Sequence, residues 1–287
     1  MTDATGAIAG LSAIAENYDA LLCDVWGVIH NGAGAFPEAV EALLNYRRQG
    51  GHVVLVTNAP RPAPPLLARL DHFGVPREAY DGLVSSGDVT RELIAPFAGQ
   101  TVERVGPQKD DALFEGLGLR FGSAAEASAV VISDLDDVDQ PLSAYDERMA
   151  VWLERGLTMI CANPDKVVDE GGRLIYCAGA VADIYESRGG EVLMAGKPYR
   201  PIYDKAMRLL RDAAGRDFDP ARLLAVGDSV RTDARGAAEL GIDLLFVTGS
   251  IHAEELDAFG KPDPKAIANL VAPSGANMIG YLPRLIW

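Results

Sequence analysis

Three short apolar runs in this 287-residue chain each stop at a residue able to do chemistry. Ala20-Leu21-Leu22-Cys23 stops at Asp24, Val53-Val54-Leu55-Val56 at Thr57-Asn58, and Leu223-Leu224-Ala225-Val226 at Gly227-Asp228. A carboxylate at such a point can be a covalent nucleophile. Two carboxylates facing one crevice repel each other. A hard divalent cation such as Mg²⁺ resolves the repulsion, because it takes oxygen ligands from a few carboxylates, waters and a substrate phosphate. Thr57 follows Asp24 by about one βαβ unit, on the order of 30 residues, so their two strands can be neighbours. Lys197 stands just before Pro198, where a helix is expected to begin. A cation opposes the helix dipole there, which argues for a partner that is an anion. Asp233 precedes an expected helix from Ala234 to Leu240, where it can serve as a cap, as a site residue, or as both.

The elements that must position these residues follow from the pattern. Short continuous apolar runs fit strands buried on both faces of a parallel sheet. Leu244-Leu245-Phe246-Val247 is a fourth such run. Helical patterns lie between the runs, from Pro37, from Pro64 to Phe73 and from Pro198 to Ala214, several with proline in the first turn. Strands alternating with helices give an α/β fold with a Rossmann-like parallel sheet core, and such sheets bind ligands at the carboxyl ends of their strands. The middle of the chain holds further candidate strands, Val102–Val105, Ala129–Ile132 and Thr158–Cys161. Helical stretches fall near Asp110–Phe114, Leu142–Glu154 and Val181–Ser187. This is expected to be a second α/β unit, residues 85–189, inserted between two halves of the core, 1–84 and 190–287. A helix is expected over Ala266–Val271, with the tail to Trp287 packed on the core.

Composition narrows the function classes. Lys and Arg number 26 against 41 Asp and Glu, a net charge of −15. Such an acidic balance argues against a nucleic-acid polymer or an anionic membrane as partner. No apolar run approaches the roughly 18 residues of a membrane span. The first residues carry no basic group before their mildly apolar stretch, so they do not read as a signal peptide, and a cytoplasmic location is expected. Cys23, Cys161 and Cys177 form no paired motif and are expected as reduced, buried thiols. The acidic run Asp134, Asp136, Asp137 and Asp139 lacks the glycine of a calcium loop and is expected to be a solvated loop. His52 and His72 have no partner spacing and are expected to be structural or surface residues.

Four segments in order carry a resemblance. Asp24-Val25-Trp26-Gly27-Val28, Val56-Thr57-Asn58, Gly196-Lys197-Pro198 and Gly227-Asp228-Ser229-Val230-Arg231-Thr232-Asp233 resemble the four motifs of the haloacid dehalogenase (HAD) superfamily. With Ser85-Ser86-Gly87, Ala162-Asn163-Pro164-Asp165 and Gly179-Ala180, the pattern is similar to the class IIA, NagD-like phosphatases, whose C2-type cap is an α/β domain inserted after the second motif. The resemblance implies a hydrolase of small phosphate monoesters that needs Mg²⁺. Asp24 would attack phosphorus, form an aspartyl-phosphate and bind the metal. Trp26 would give the metal its backbone carbonyl. Asp228 would be a further metal ligand, with Asp233 in support. Thr57 and Asn58 would hold the phosphoryl oxygens, and Lys197 would neutralise nucleophile and phosphate. The partner implied is a small phosphorylated metabolite: a nucleotide monophosphate, a small sugar or glycolate phosphate, or pyridoxal phosphate. A homodimer is compatible with the resemblance.

One departure stands out. The family places a second aspartate two residues after the nucleophile, as general acid and base, and here that position is Trp26. Loss of such a group typically costs about 10²–10⁴-fold. Three functions follow: a phosphatase with another acid–base group or an activated leaving group, a catalytically weak protein that binds or senses a phosphorylated ligand, and a carbon–halogen hydrolase. His30 is a candidate replacement acid and base, since its ordinary pKa suits the task. Asn163, Asp165 and Lys166 are candidates for the substrate pocket.

Overall fold

The computed structural model describes residues 6–170 and 173–287. The first half of the core contributes β1 (Ala20–Cys23), α1 (Pro37–Arg48), β2 (His52–Thr57), α2 (Ala63–His72) and β3 (Gly82–Ser85). The inserted unit follows with α3 (Ser86–Ile94), β4 (Thr101–Val105), β5 (Arg120–Phe121), β6 (Ala129–Ile132), α4 (Asp146–Glu154), β7 (Thr158–Cys161), a hairpin of β8 (Val167–Glu170) and β9 (Arg173–Tyr176), α5 (Ala178–Ser187) and β10 (Val192–Met194). The chain then returns with α6 (Arg200–Ala214), β11 (Leu223–Gly227), α7 (Arg235–Leu240), β12 (Asp243–Val247), α8 (Pro264–Val271) and β13 (Asn277–Leu282).

The core is a six-stranded, wholly parallel sheet in the order β13-β12-β11-β1-β2-β3. Its apolar runs are continuous because both faces are covered. Leu21, Cys23, Val53, Leu55, Leu224 and Val226 pack into one cluster, and the alternating Leu22, Val54, Val56, Leu223 and Ala225 pack into the opposite one. A second parallel sheet, in the order β10-β7-β6-β4-β5, forms the inserted unit. It repeats the principle, with Val130, Ile132 and Met159 on one side and Ala129, Val131 and Ile160 on the other. The last strand of this sheet is Val192–Met194, beyond residue 189 where the sequence pattern suggests that the core resumes.

Several elements depart from the sequence expectation. The stretch near Asp110–Phe114 is a 3₁₀ segment, Gln108–Leu113. The tail does more than pack on the core: β13 pairs in parallel with β12 at the sheet edge. Helix α6 starts at Arg200 rather than Pro198, after a cis Lys197–Pro198 bond. Among the described residues, no helix is long and apolar enough to cross a membrane. The three cysteines are buried free thiols.

Candidate active site

The carboxyl ends of β1, β2 and β11 meet at one point, as the parallel order requires. Asp24 follows β1, Thr57 ends β2, and Asp228 follows β11. One carboxylate oxygen from each of Asp24, Asp228 and Asp233 lies within 4.8 Å of the others, and all three residues are buried. Asp233 is not the cap of α7, whose N-cap is Ala234. Its Oδ2 instead accepts from the Ser229 N–H at 3.1 Å, at the foot of a π-helical turn over Val230–Ala234.

Lys197 comes from the loop between β10 and α6. The residue is 3% exposed, and its ammonium donates to Asp24 Oδ1 at 2.5 Å and to Asp233 Oδ1 at 2.7 Å. Asn58 anchors the lysine: Lys197 N–H donates to Asn58 Oδ1 at 2.7 Å and Asn58 Nδ2 donates to the Lys197 carbonyl at 3.1 Å. Gly196 permits this approach. With φ of +86° it holds a conformation that favours glycine, and a Cβ there would lie 2.5 Å from Asn58 Oδ1. The Thr57 hydroxyl accepts from the Ala59 N–H at 3.2 Å and borders the same space.

The charges around this point do not cancel. Three carboxylates face one ammonium, which leaves a formal excess of two negative charges. Burial drives Lys197 toward neutrality, but Asp233 and Asp24 outweigh it and hold the ammonium well above the usual lysine range. Burial pushes Asp24 upward against the pull of Lys197. Asp228 is raised to about 7, by burial first and by Asp233 second. An all-oxygen donor set that is buried and short of two positive charges suits a hard divalent cation, so the residues present fit Mg²⁺.

A cavity of about 270 Å³ opens over these groups and reaches the inserted unit. Trp26, Arg61 and Arg69 border it from the core side, and Lys109, Asp134 and Asn163 from the inserted side. Val167, Val168 and Ile175 of the β8–β9 hairpin give it an apolar wall. Asp165 lies in the same lining, and its Oδ1 accepts from Asn58 Nδ2 at 3.0 Å. Sequence spacing offers no hint of this bond, which joins residues 107 apart.

Three expectations are corrected. His30 does not border the cavity: its ring packs edge-on against Trp26 and Phe73, each at 5.2 Å, and Nδ1 accepts from the Gly32 N–H at 3.1 Å. Burial, with Arg69 and Arg61 nearby, lowers its imidazole to about 4. Lys166 does not border the cavity and pairs with Asp183. Asp134 is no solvated loop residue, since it borders the cavity and pairs with Lys109 at 3.3 Å. Within the same acidic run Asp136 pairs with Arg148 at 2.6 Å. His52, expected as a structural or surface residue, lies 3.3 Å from Asp81 and outside the cavity lining.

The chain belongs to the haloacid dehalogenase-like hydrolase family. The family model described as haloacid dehalogenase-like hydrolase matches residues 21–120, and a HAD-hydrolase-like model matches 194–273. A haloacid dehalogenase-like hydrolase from Brucella suis is 40% identical, with a TM-score of 0.86 over 96% of this chain and 99% of that one. Among named relatives, glycerol-3-phosphate phosphatase of Gallus gallus is 27% identical over 90% of this chain and 89% of its own. D-glycerol 3-phosphate phosphatase of Mycobacterium tuberculosis is 27% identical over 88% and 69%. The family models and the Brucella suis structure make this chain a hydrolase of the HAD superfamily, and the named relatives it resembles are phosphatases.

Proposed function

We propose that the protein hydrolyses small phosphate monoesters in a Mg²⁺-dependent reaction through an aspartyl-phosphate on Asp24. The observation that carries this is the Lys197 ammonium held between Asp24 and Asp233, with Asp228 beside them. Asp24, Asp228 and the Trp26 carbonyl would hold the cation, with Asp233 in support. When bound, it supplies positive charge against the phosphoryl oxygens.

The chain's own residues do the rest. Lys197 lowers the repulsion between the Asp24 carboxylate and an incoming phosphate dianion. Thr57 and Asn58 orient the phosphoryl oxygens at the end of β2, so that an Asp24 oxygen stands in line with the P–O bond to be broken. Positioning and charge neutralisation supply most of the catalysis in phosphoryl transfer. Residues 85–189, with β10, act as a cap: the hairpin wall limits water and the pole at Lys109 and Asp134 meets the end of the leaving group remote from the ester oxygen. Asn163 helps shape that pocket. The named relatives make a polyol phosphate such as glycerol phosphate the first substrate to try.

The test is hydrolysis of glycerol 3-phosphate and of p-nitrophenyl phosphate with Mg²⁺, with chelator, and with Asp24→Asn. Turnover that needs both the metal and Asp24 supports the proposal. Tight binding of phosphorylated ligands without turnover of either ester would favour a sensor instead.

A further inference from the structure

This inference rests on the phosphatase function proposed above. Breaking an alkyl phosphate leaves an alkoxide that must gain a proton, and the later attack of water on aspartyl-phosphate must lose one. Trp26 has no carboxyl for either transfer, and His30 is not among the residues that line the cavity, its ring packing edge-on against Trp26 and Phe73. Apart from the three carboxylates at the cation position, the cavity lining holds Asp110, Asp134 and Asp165.

Position separates these three. Asp110 accepts from the Ser133 hydroxyl at 3.0 Å and lies 3.5 Å from Arg61 Nε, while Asp134 pairs with Lys109. Both belong to the pole away from Lys197. Asp165 alone is tied to the phosphoryl end, because the Asn58 carboxamide that holds the Lys197 backbone also donates to Asp165 Oδ1. Among the described residues its Oδ2 makes no hydrogen bond and is open to a ligand.

The loop that carries Asp165 is tied on both sides. Its N–H donates to Asn163 Oδ1 at 3.1 Å, and its carbonyl accepts from the Gly179 N–H at 3.1 Å. Helix α5 presses on this loop so closely that a Cβ at Gly179 would lie 2.3 Å from the Pro164 carbonyl oxygen. The titratable groups that face Asp165 are Lys197, Asp233 and Asp228 from the core and the Cys161 and Cys177 thiols from the inserted unit. Burial raises its carboxyl to about 6, against the opposing pull of Lys197 and of the Asn58 hydrogen bond. That is the range in which one carboxyl can both give and take a proton near neutral pH.

We propose that Asp165 is the general acid and base of this enzyme, placed on the inserted unit instead of two residues after the nucleophile. In the first half-reaction an Asp24 oxygen bonds to phosphorus, the P–O ester bond breaks, and the Asp165 proton goes to the leaving oxygen, releasing the alcohol. In the second, water attacks phosphorus and gives one proton to the Asp165 carboxylate. The bond to Asp24 breaks, and monohydrogen phosphate leaves with Asp24 ionised and Asp165 protonated again.

Asp165→Asn keeps an acceptor for Asn58 and the shape of the loop but has no proton to transfer. Expected for this variant is a loss of about 10²–10⁴-fold in kcat/KM for glycerol 3-phosphate. For p-nitrophenyl phosphate, whose leaving anion needs no proton, kcat/KM should fall less than about tenfold, with a burst of nitrophenolate ahead of slow turnover. Equal losses on both esters would make Asp165 a positioning residue and overturn the proposal, as would no loss on either. The unaltered enzyme gives a second arm. Across esters of graded leaving-group pKa, kcat/KM should vary weakly, and a steep dependence would overturn the proposal. Failure of the unaltered enzyme on every ester would refute the phosphatase function itself.

Discussion

Asn58 and Lys197, 139 residues apart in the chain, clasp each other through two hydrogen bonds: backbone N–H to carboxamide oxygen at 2.7 Å and carboxamide nitrogen to backbone carbonyl at 3.1 Å. The clasp fixes the point from which the lysine ammonium reaches both Asp24 and Asp233. It joins the end of β2 to the loop after β10, so the second and third sequence motifs form one unit.

Breaking that clasp should cost both stability and rate. Asn58→Ala leaves a buried N–H and a buried C=O without partners, about 1–3 kcal/mol in denaturant unfolding. A displacement of Lys197 by about 1 Å should lower kcat on the order of 10²-fold. Lys197→Ala should cost more, about 3–5 kcal/mol, because Asp24 and Asp233 then lose their buried counter-charge. Unchanged kcat in Asn58→Ala would show that the lysine is held by other contacts.

The raised carboxyl of Asp228 sets a pH dependence. Its folded value, about 7, lies above that of the unfolded chain, so the folded state holds more protons between them. Without metal, this group therefore favours folding less as pH rises from about 4 to 7. Mg²⁺ binds the ionised form, so the rise in Tm on adding Mg²⁺ should be larger at pH 8 than at pH 5. Asp228→Asn should shrink the difference, leaving the part due to Asp24, and raise the Tm of the metal-free protein at pH 8. An equal Mg²⁺ effect at both values would contradict the assignment.

Trp26 depends on Gly32. That glycine has φ of +90°, and a Cβ there would lie 2.6 Å from the indole ring. Gly32→Ala should cost at least about 1–2 kcal/mol from the backbone alone and push the indole toward the cavity. The expected signature is a lower Tm, altered tryptophan fluorescence and a higher KM. A variant with unchanged KM would show that the ring does not shape the pocket.

The core was legible because both faces of its sheet are buried, which turns β1, β2, β11 and β12 into unbroken apolar runs that end at Asp24, Thr57, Asp228 and Thr248. The strands that escaped notice lack that signal. Val192–Met194 spans three residues, Arg120–Phe121 two exposed ones, and Asn277–Leu282 lies at an edge with Gly280 inside it. Pairings around the cavity were invisible for another reason. Asp134 looks like one member of a solvated run until the fold sets Lys109 against it, and Asp165 gains its meaning from Asn58. His30 has the right chemistry in sequence, but Trp26 and Phe73 enclose it.

Lys109 should govern selectivity more than chemistry, since it borders the cavity beside Asp134 and away from Lys197. Lys109→Met should change the ratio of kcat/KM between glycerol 3-phosphate and p-nitrophenyl phosphate while the Mg²⁺ requirement stays the same. A proportional loss on both esters would argue against a role at the leaving group.

The central claim is the covalent bond to Asp24. The most direct measurement is intact-protein and peptide mass spectrometry after acid quenching of enzyme, Mg²⁺ and p-nitrophenyl phosphate, with Asp165→Asn used to slow the second step. The expected result is one phosphoryl group on the peptide that contains Asp24, lost on treatment with hydroxylamine and absent in Asp24→Asn. Turnover with no phosphoryl adduct, or an adduct mapped to another residue, would contradict the account.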